Sequence, residues 1–259
     1  MTGSVTLITP DWPAPDNIVA FSTCRSGGVS TGVYSGLNLA LHVGDEALSV
    51  SENRQQLMQT CDGLERIQWL HQVHGCEVVN SRCGIDNTSD TVCPTADGSH
   101  SRESAVACAV LTADCLPVLF CDRAGNQVAA AHAGWRGLAA GVLENTVQQL
   151  EAVPQQIMAW LGPAISQPCF EVGPEVRECF LDAADTEQQA LIDSTFKPNT
   201  NRDNHYFLDL YQLARIRLQA IGVVQCYGGH HCTYRDAQRF YSYRRDGVTG
   251  RMATIIYKR

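Results

Sequence analysis

What this sequence lacks narrows its class before any motif is read. No stretch approaches the roughly 20 consecutive apolar residues that a membrane-spanning helix requires. The opening residues, MTGSVTLITPDWPAP, carry neither a basic n-region nor an apolar h-region, so no export signal is expected. Twelve cysteines are present but no Cys-x-x-Cys pair. In a 259-residue chain that pattern predicts reduced thiols in the cytoplasm, most of them core filler, rather than a disulfide scaffold. Basic charge is scarce: 19 Lys and Arg against 27 Asp and Glu give a net charge of −8, which argues against a general nucleic-acid or anionic-membrane surface. A small phosphorylated or sugar-bearing partner needs only a local cluster and is not excluded. There is no P-loop, dinucleotide fingerprint, internal repeat, low-complexity block or linker. The remaining composition, 44% hydrophobic and 18% charged, is that of a globular protein, read as one domain over residues 1–259.

The segment from Thr112 to Arg136, TADCLPVLFCDRAGNQVAAAHAGWR, organises the rest. Two apolar stretches, Leu116 to Cys121 and Gln127 to Ala131, flank an Asp-Arg-Ala-Gly-Asn turn, which predicts a hairpin buried on both faces. A thiol, Cys115, stands at the start of the first strand and an imidazole, His132, at the end of the second. The hairpin brings them to one end of a sheet.

A strand over Val19 to Cys24 leads into a glycine-rich loop, Arg25 to Gly36, which is either a structural loop or an anion cradle built on Arg25 and exposed amides. Glu46 to Thr60 has helical spacing through Leu48, Leu57 and Met58, with Arg54 on or near its polar side. Ile67 to Asn80 holds two β-rich stretches meeting near His74-Gly75. On an alternating strand His71 and His74 face opposite ways, so at most one joins a common site, and His74 at the bend is preferred. Arg82 to Ser104 reads as a loop passing Asp97, and Ala105 to Thr112 as a buried strand. Leu138 to Leu150 reads as one amphipathic helix whose first turn, near His132 and Arg136, presents amides to an anion. A strand over Ile157 to Leu161, a helix over Val172 to Ala184, a polar connection from Asp185 to Asn204 and a helix over Phe207 to Ile221 capped by Gly222 follow. Val223 to Tyr227 and Met252 to Tyr257 read as closing strands. Between them FYSYRRDG offers aromatic and basic groups, with Arg244 or Arg245 able to hold a phosphate. The absence of regular βαβ alternation favours α+β over a doubly wound sheet.

His74, Cys115 and His132 are each ordinary as core residues, but together at strand ends they match a metal site with an open position. Two neutral imidazoles and a thiolate leave Zn²⁺ a net charge of +1, enough to bring a bound water towards a pKa of about 7. A laccase-type copper enzyme needs several coppers with many histidine ligands, and this chain has eight histidines and no His-x-His pair. A third arrangement is a metal-free hydrolase in which His132 activates the Cys115 thiol. A fourth is a non-catalytic module holding a structural zinc, which would need a further protein ligand.

The strings HQVHG, TADCLPVLF and AAAHAGWRGL resemble those of the YfiH-like family, as do CRSGGVS, LGPAI, GPEVRECF and FYSYRRDGVTGRMA. That family is also called the laccase-domain or multicopper polyphenol oxidase family and, more recently, the purine nucleoside phosphorylase family. The likeness runs over nearly the whole chain. It implies a layered α/β sandwich of mixed sheets related to a toxin deamidase domain, with metal ligands falling on His74, Cys115 and His132. It also implies zinc-dependent phosphorolysis of adenosine, inosine, guanosine and methylthioadenosine, deamination of adenosine, and a related role in editing peptidoglycan precursors. For deamination Asp114 is the candidate proton carrier beside Cys115 and His132, although on a regular strand it faces away from the thiol. For phosphorolysis Arg25, Arg136 and Arg244 are the candidate phosphate ligands. Copper bound at the same ligands would account for weak oxidation.

Overall fold

Residues 4–82 and 93–259 are described by the structure, a computed structural model. In chain order, β1 (Leu7–Ile8) and β2 (Ile18–Thr23) precede α1 (Ala47–Gln59), β3 (Arg66–Gln68), β4 (Val78–Asn80), β5 (Gly98–Ser101), β6 (Val106–Thr112), β7 (Leu116–Asp122) and β8 (Val128–Ala133). The helices α2 (Trp135–Ala139) and α3 (Val142–Gln148) lead to β9 (Ile157–Leu161), β10 (Glu171–Val172), α4 (Pro174–Asp182), α5 (Thr186–Asp193), β11 (Phe196–Pro198) and β12 (Tyr206–Leu208). Then come α6 (Leu210–Ala220), β13 (Gln225–Gly228), α7 (Tyr243–Asp246) and β14 (Met252–Lys258).

The hairpin predicted at the centre is β7 and β8, antiparallel with Pro117 opposite His132 and Val118 opposite Ala131. It lies in the middle of a six-stranded mixed sheet, β13-β9-β7-β8-β5-β4. A second, five-stranded sheet has the order β1-β2-β14-β6-β3. The alternation of side chains along each strand sorts the core into layers. Leu119, Cys121, Val128, Ala130 and Trp160 on one face of the first sheet meet Cys108, Val110 and Ile256 of the second. The opposite face of the first sheet, through Val118, Phe120, Ala129 and Ala131, packs on α3, α4 and α6. The outer face of the second sheet, through Ala107, Ala109 and Ile255, packs on Leu57 of α1. The result is the mixed α/β sandwich expected, and burial on both faces explains why the strands read as continuous apolar runs.

Several boundaries differ from the sequence reading, each for a local reason. Leu138 to Leu150 is two helices, because Gly141 between them adopts φ +90°, a conformation that ends an α-helix. In α1 the buried stripe is Val50, Asn53 and Leu57, while Leu48 is 84% exposed. Asn53 is buried because its amide closes the glycine-rich loop, donating to Ser30 Oγ and to the carbonyl of Asn38. The polar connection from Asp185 to Asn204 contains α5 and β11, and the helix expected from Val172 starts at Pro174 after the short strand β10. Phe207 belongs to β12 rather than to a helix; α6 begins after Asp209, whose carboxylate accepts the Gln212 amide. Of the loop expected from Arg82 to Ser104, residues 83–92 lie outside the described residues, and Gly98–Ser101 is a strand. Among the described residues no helix is long and apolar enough to cross a membrane.

Candidate metal centre and its pocket

Three segments far apart in the chain deliver the site. The turn between β6 and β7 carries Cys115, and the preceding residue, Asp114, sits at φ +96°, so the chain reverses there instead of continuing the regular alternation. His132 is the penultimate residue of β8. His74 arrives on the irregular segment between β3 and β4, at φ +62°. Gln72 fixes that segment against β6 by donating to the Leu111 carbonyl at 2.9 Å and accepting the Leu111 amide at 2.7 Å. A turn, not strand alternation, therefore aims His74. His71 stays outside the cluster, pairing with Thr95.

The donor atoms of His74, Cys115 and His132 lie within 4.8 Å of one another. Cys115 Sγ is 3.8 Å from His74 Nε2, and the two imidazoles meet edge to face with centroids 4.8 Å apart. A tetrahedral zinc with Zn–S of about 2.3 Å and Zn–N of about 2.0–2.1 Å separates sulfur from nitrogen by about 3.5 Å. The donor set and its spacing thus fit a divalent ion of borderline softness. Glycine at position 134 keeps the space clear: a Cβ there would lie 3.0 Å from both Cys115 Sγ and His74 Cδ2.

Asp97, passed over in the sequence as a loop residue, holds the arrangement together. Its buried carboxylate accepts His132 Nδ1 at 2.7 Å and the backbone amides of Val73, His74 and Gly75 at 3.1, 2.9 and 2.7 Å. With Nδ1 committed to Asp97, the Nε2 of His132 is the nitrogen left to face the cluster. Nothing in the sequence pattern marks this aspartate; its role depends on the pairing of β5 with β8, which brings its carbonyl to the His132 amide. Without a metal, burial would push the Cys115 thiol up, but the neighbouring His132 and His74 outweigh it and bring the thiol down to about 6. Burial likewise opposes a charged His132, yet Cys115 and Asp97 push it up to about 9.

The cluster faces a cavity of ≈ 460 Å³, within the range of small-molecule sites. Its walls include Trp135, Ile165, Phe170 and Tyr243, with Arg136, Arg244 and Arg251 supplying positive charge. Three sequence expectations change here. Arg25 is not in this pocket: it lies over the Tyr241 ring, donates to the Ala237 carbonyl and lines a separate depression with Gly27 and Gly28. Arg245 is structural, donating to the carbonyls of Thr233, Tyr234 and Phe240 and to Asp246. Asp114 lines the pocket, but its carboxylate accepts from Thr233 Oγ1, Ser242 Oγ and the Arg244 amide. That use makes it the tie between the Cys115 turn and α7, not a free proton carrier. Arg136 stacks on Trp135 and Arg244 on Phe170 at the exposed mouth.

A family model described as multi-copper polyphenol oxidoreductase laccase matches residues 19–259. Two similar proteins, each 49% identical, carry the name purine nucleoside phosphorylase. One, from Pseudomonas aeruginosa, aligns over 96% of this chain and 97% of its own length. The other, YfiH of Escherichia coli, aligns over 97% and 98%. Among solved structures, a Neisseria meningitidis protein superposes with a TM-score of 0.87 at 47% identity, covering 97% of this chain and 98% of its own. YlmD from Geobacillus stearothermophilus superposes with a TM-score of 0.86 at 31% identity, covering 100% and 98%. The chain belongs to this family of YfiH-like, laccase-domain proteins.

Proposed function

We propose that the protein is a cytoplasmic, zinc-dependent purine nucleoside enzyme. It cleaves adenosine, inosine, guanosine or methylthioadenosine with inorganic phosphate and deaminates adenosine at the same centre. The observation that carries this reading is the convergence of His74, Cys115 and His132 on one aromatic-walled, cation-rimmed cavity, in a chain whose relatives are named purine nucleoside phosphorylases. All eleven described cysteines are free thiols, which suits a reducing compartment.

A zinc ion held by these three side chains would supply Lewis acidity, stabilising negative charge as it develops on a reacting oxygen or a departing base. The protein's own groups do the rest. Asp97 keeps the proton of His132 on Nδ1 and so keeps the ring in its ligating tautomer. Trp135, Phe170 and Tyr243 offer flat apolar faces against which a purine stacks. Arg136 and Arg244 add positive charge where an anion enters.

A thiol hydrolase is the second reading, favoured by the lowered Cys115 and raised His132. Against the multi-copper reading, the described residues contain one group of three metal donors, whereas laccase chemistry needs several copper sites. Incubating the protein with inosine and adenosine, with and without phosphate, separates these readings. We expect phosphate-dependent release of the free base, phosphate-independent conversion of adenosine to inosine, and loss of both in Cys115→Ala. A covalent Cys115 adduct with activity that survives chelation would support the hydrolase instead.

A further inference from the structure

Arg251 stands apart from the other cations of the pocket. Arg136 and Arg244 are exposed, whereas Arg251 is half-buried immediately before β14. Its main chain is fixed on both sides, its amide donating to Asn38 Oδ1 at 2.9 Å and its carbonyl accepting the Leu39 amide at 3.3 Å. Asn38 is fully buried and donates in turn to Asp45. The preceding Gly250 allows this close approach, since a Cβ there would lie 2.8 Å from the Tyr241 ring and 3.0 Å from Asn38 Cβ. The residues just beyond the glycine-rich loop, Asn38 and Leu39, thus act on the pocket indirectly, by seating Arg251.

The guanidinium is only partly used by the protein. Nη1 donates to the carbonyls of Thr249 and Gly250 at 2.8 and 3.1 Å, which occupies both of its hydrogens. The guanidinium carbon lies 5.8 Å from the centre of the Tyr243 ring, and Asp114 and Cys115 act on it only through space; among the described residues the Nε and Nη2 edge has no hydrogen-bond acceptor and the residue no ion pair. Arg215, by contrast, spends Nη1 and Nη2 on the carbonyls of Cys226 and Gly228. A half-buried guanidinium with its parallel N–H fork unspent is suited to a tetrahedral oxyanion, because an anion hydrogen-bonded directly to the fork would offset its desolvation.

We propose that Arg251 anchors an inorganic phosphate subsite in this pocket, its Nε and Nη2 donating to two phosphate oxygens while Arg136 and Arg244 add charge at the mouth. The assignment rests on the phosphorolytic reading of the metal centre. In that reaction a phosphate oxygen bonds to ribose C1′ as the bond from C1′ to the purine nitrogen breaks. The electron pair leaves with the base, and the hydrogen carried by HPO₄²⁻ ends on the purine. No oxidant or reductant is involved.

Calorimetric titration of the metal-loaded protein with inorganic phosphate, at ionic strength held constant with chloride, tests the subsite without turnover. Saturable binding is expected, weakened by about 10-fold or more in Arg251→Ala and by less in Arg251→Lys, which keeps charge but not the fork. Arg25→Ala, in the separate depression, should bind like the parent. In the unmutated protein phosphate should shield Arg251 from phenylglyoxal, read by peptide mass spectrometry, so the result does not depend on the variants folding. No saturable binding, equal affinity in Arg251→Ala, or equal phenylglyoxal modification with and without phosphate would overturn the proposal. A parallel titration with adenosine 5′-monophosphate separates a free phosphate from a nucleotide phosphate: Arg251-dependent binding of the nucleotide alone also overturns it. Arg251-dependent phosphate binding without nucleoside turnover would refute the phosphorolytic reading and leave the subsite standing. Phosphorolysis whose phosphate KM is the same in Arg251→Ala would refute the subsite and leave that reading standing.

Discussion

Asp97 touches every part of the metal centre that strand geometry alone leaves loose. Its carboxylate sets the tautomer of His132 and, through three successive amides, closes the turn that aims His74. Removing it frees both histidines at once, so Asp97→Ala should lower zinc affinity by about 10–100-fold, measured by competition with a chromophoric chelator. Unchanged affinity would show that the turn holds itself. Gly134→Ala should also weaken the metal, because the new Cβ falls 3.0 Å from Cys115 Sγ and His74 Cδ2; an unaltered affinity would mean that the triad can shift to admit it. The Cys115 thiol is held down to about 6 by His132 and His74 in spite of its burial. In chelator-treated protein its alkylation should therefore reach half its maximal rate near pH 6, with thiolate above that value and thiol below it. A midpoint near 9, the ordinary cysteine value, would contradict the proximity of the imidazoles.

At the scale of elements, the β7–β8 hairpin and β9 are legible in the sequence because burial on both faces leaves short, uninterrupted apolar runs bounded by turn residues. The split between α2 and α3 is not, since the apolar spacing from Leu138 to Leu150 continues across Gly141 and only its φ of +90° ends the helix. The same limit applies to the site. Cys115 and His132 follow from the hairpin, and His74 from its place beside a glycine. Asp97 and Arg251 depend on contacts between distant segments that no local pattern encodes. Tyr211 of α6 shows how such a contact serves the pocket. Its one hydroxyl hydrogen is shared between the carbonyls of Gly162 and His231, and its oxygen accepts the Ala164 amide, pinning the chain that carries Ile165 and Phe170 into the wall. Tyr211→Phe should cost about 1–3 kcal/mol, because buried polar groups lose their partner. Chemical denaturation reads this directly, and a change within a few tenths of a kcal/mol would mean that the backbone groups find other partners.

At the scale of the whole molecule, an acidic protein with a net charge of −8 gathers three arginines around one cavity, on the layer boundary where the β6–β7 turn, the end of β8 and the start of β14 meet. The sandwich supplies rigid strand ends, and the irregular segments between them supply the chemistry. The central claim is that His74, Cys115 and His132 hold a single metal ion on which turnover depends. Its most direct test is the metal content of protein purified without added metal, determined in parallel for the parent and for Cys115→Ala with circular dichroism as a check on folding. About one zinc per chain is expected in the parent, with loss of that zinc from a folded variant. Several copper atoms per chain, or zinc retained in full by the variant, would contradict it.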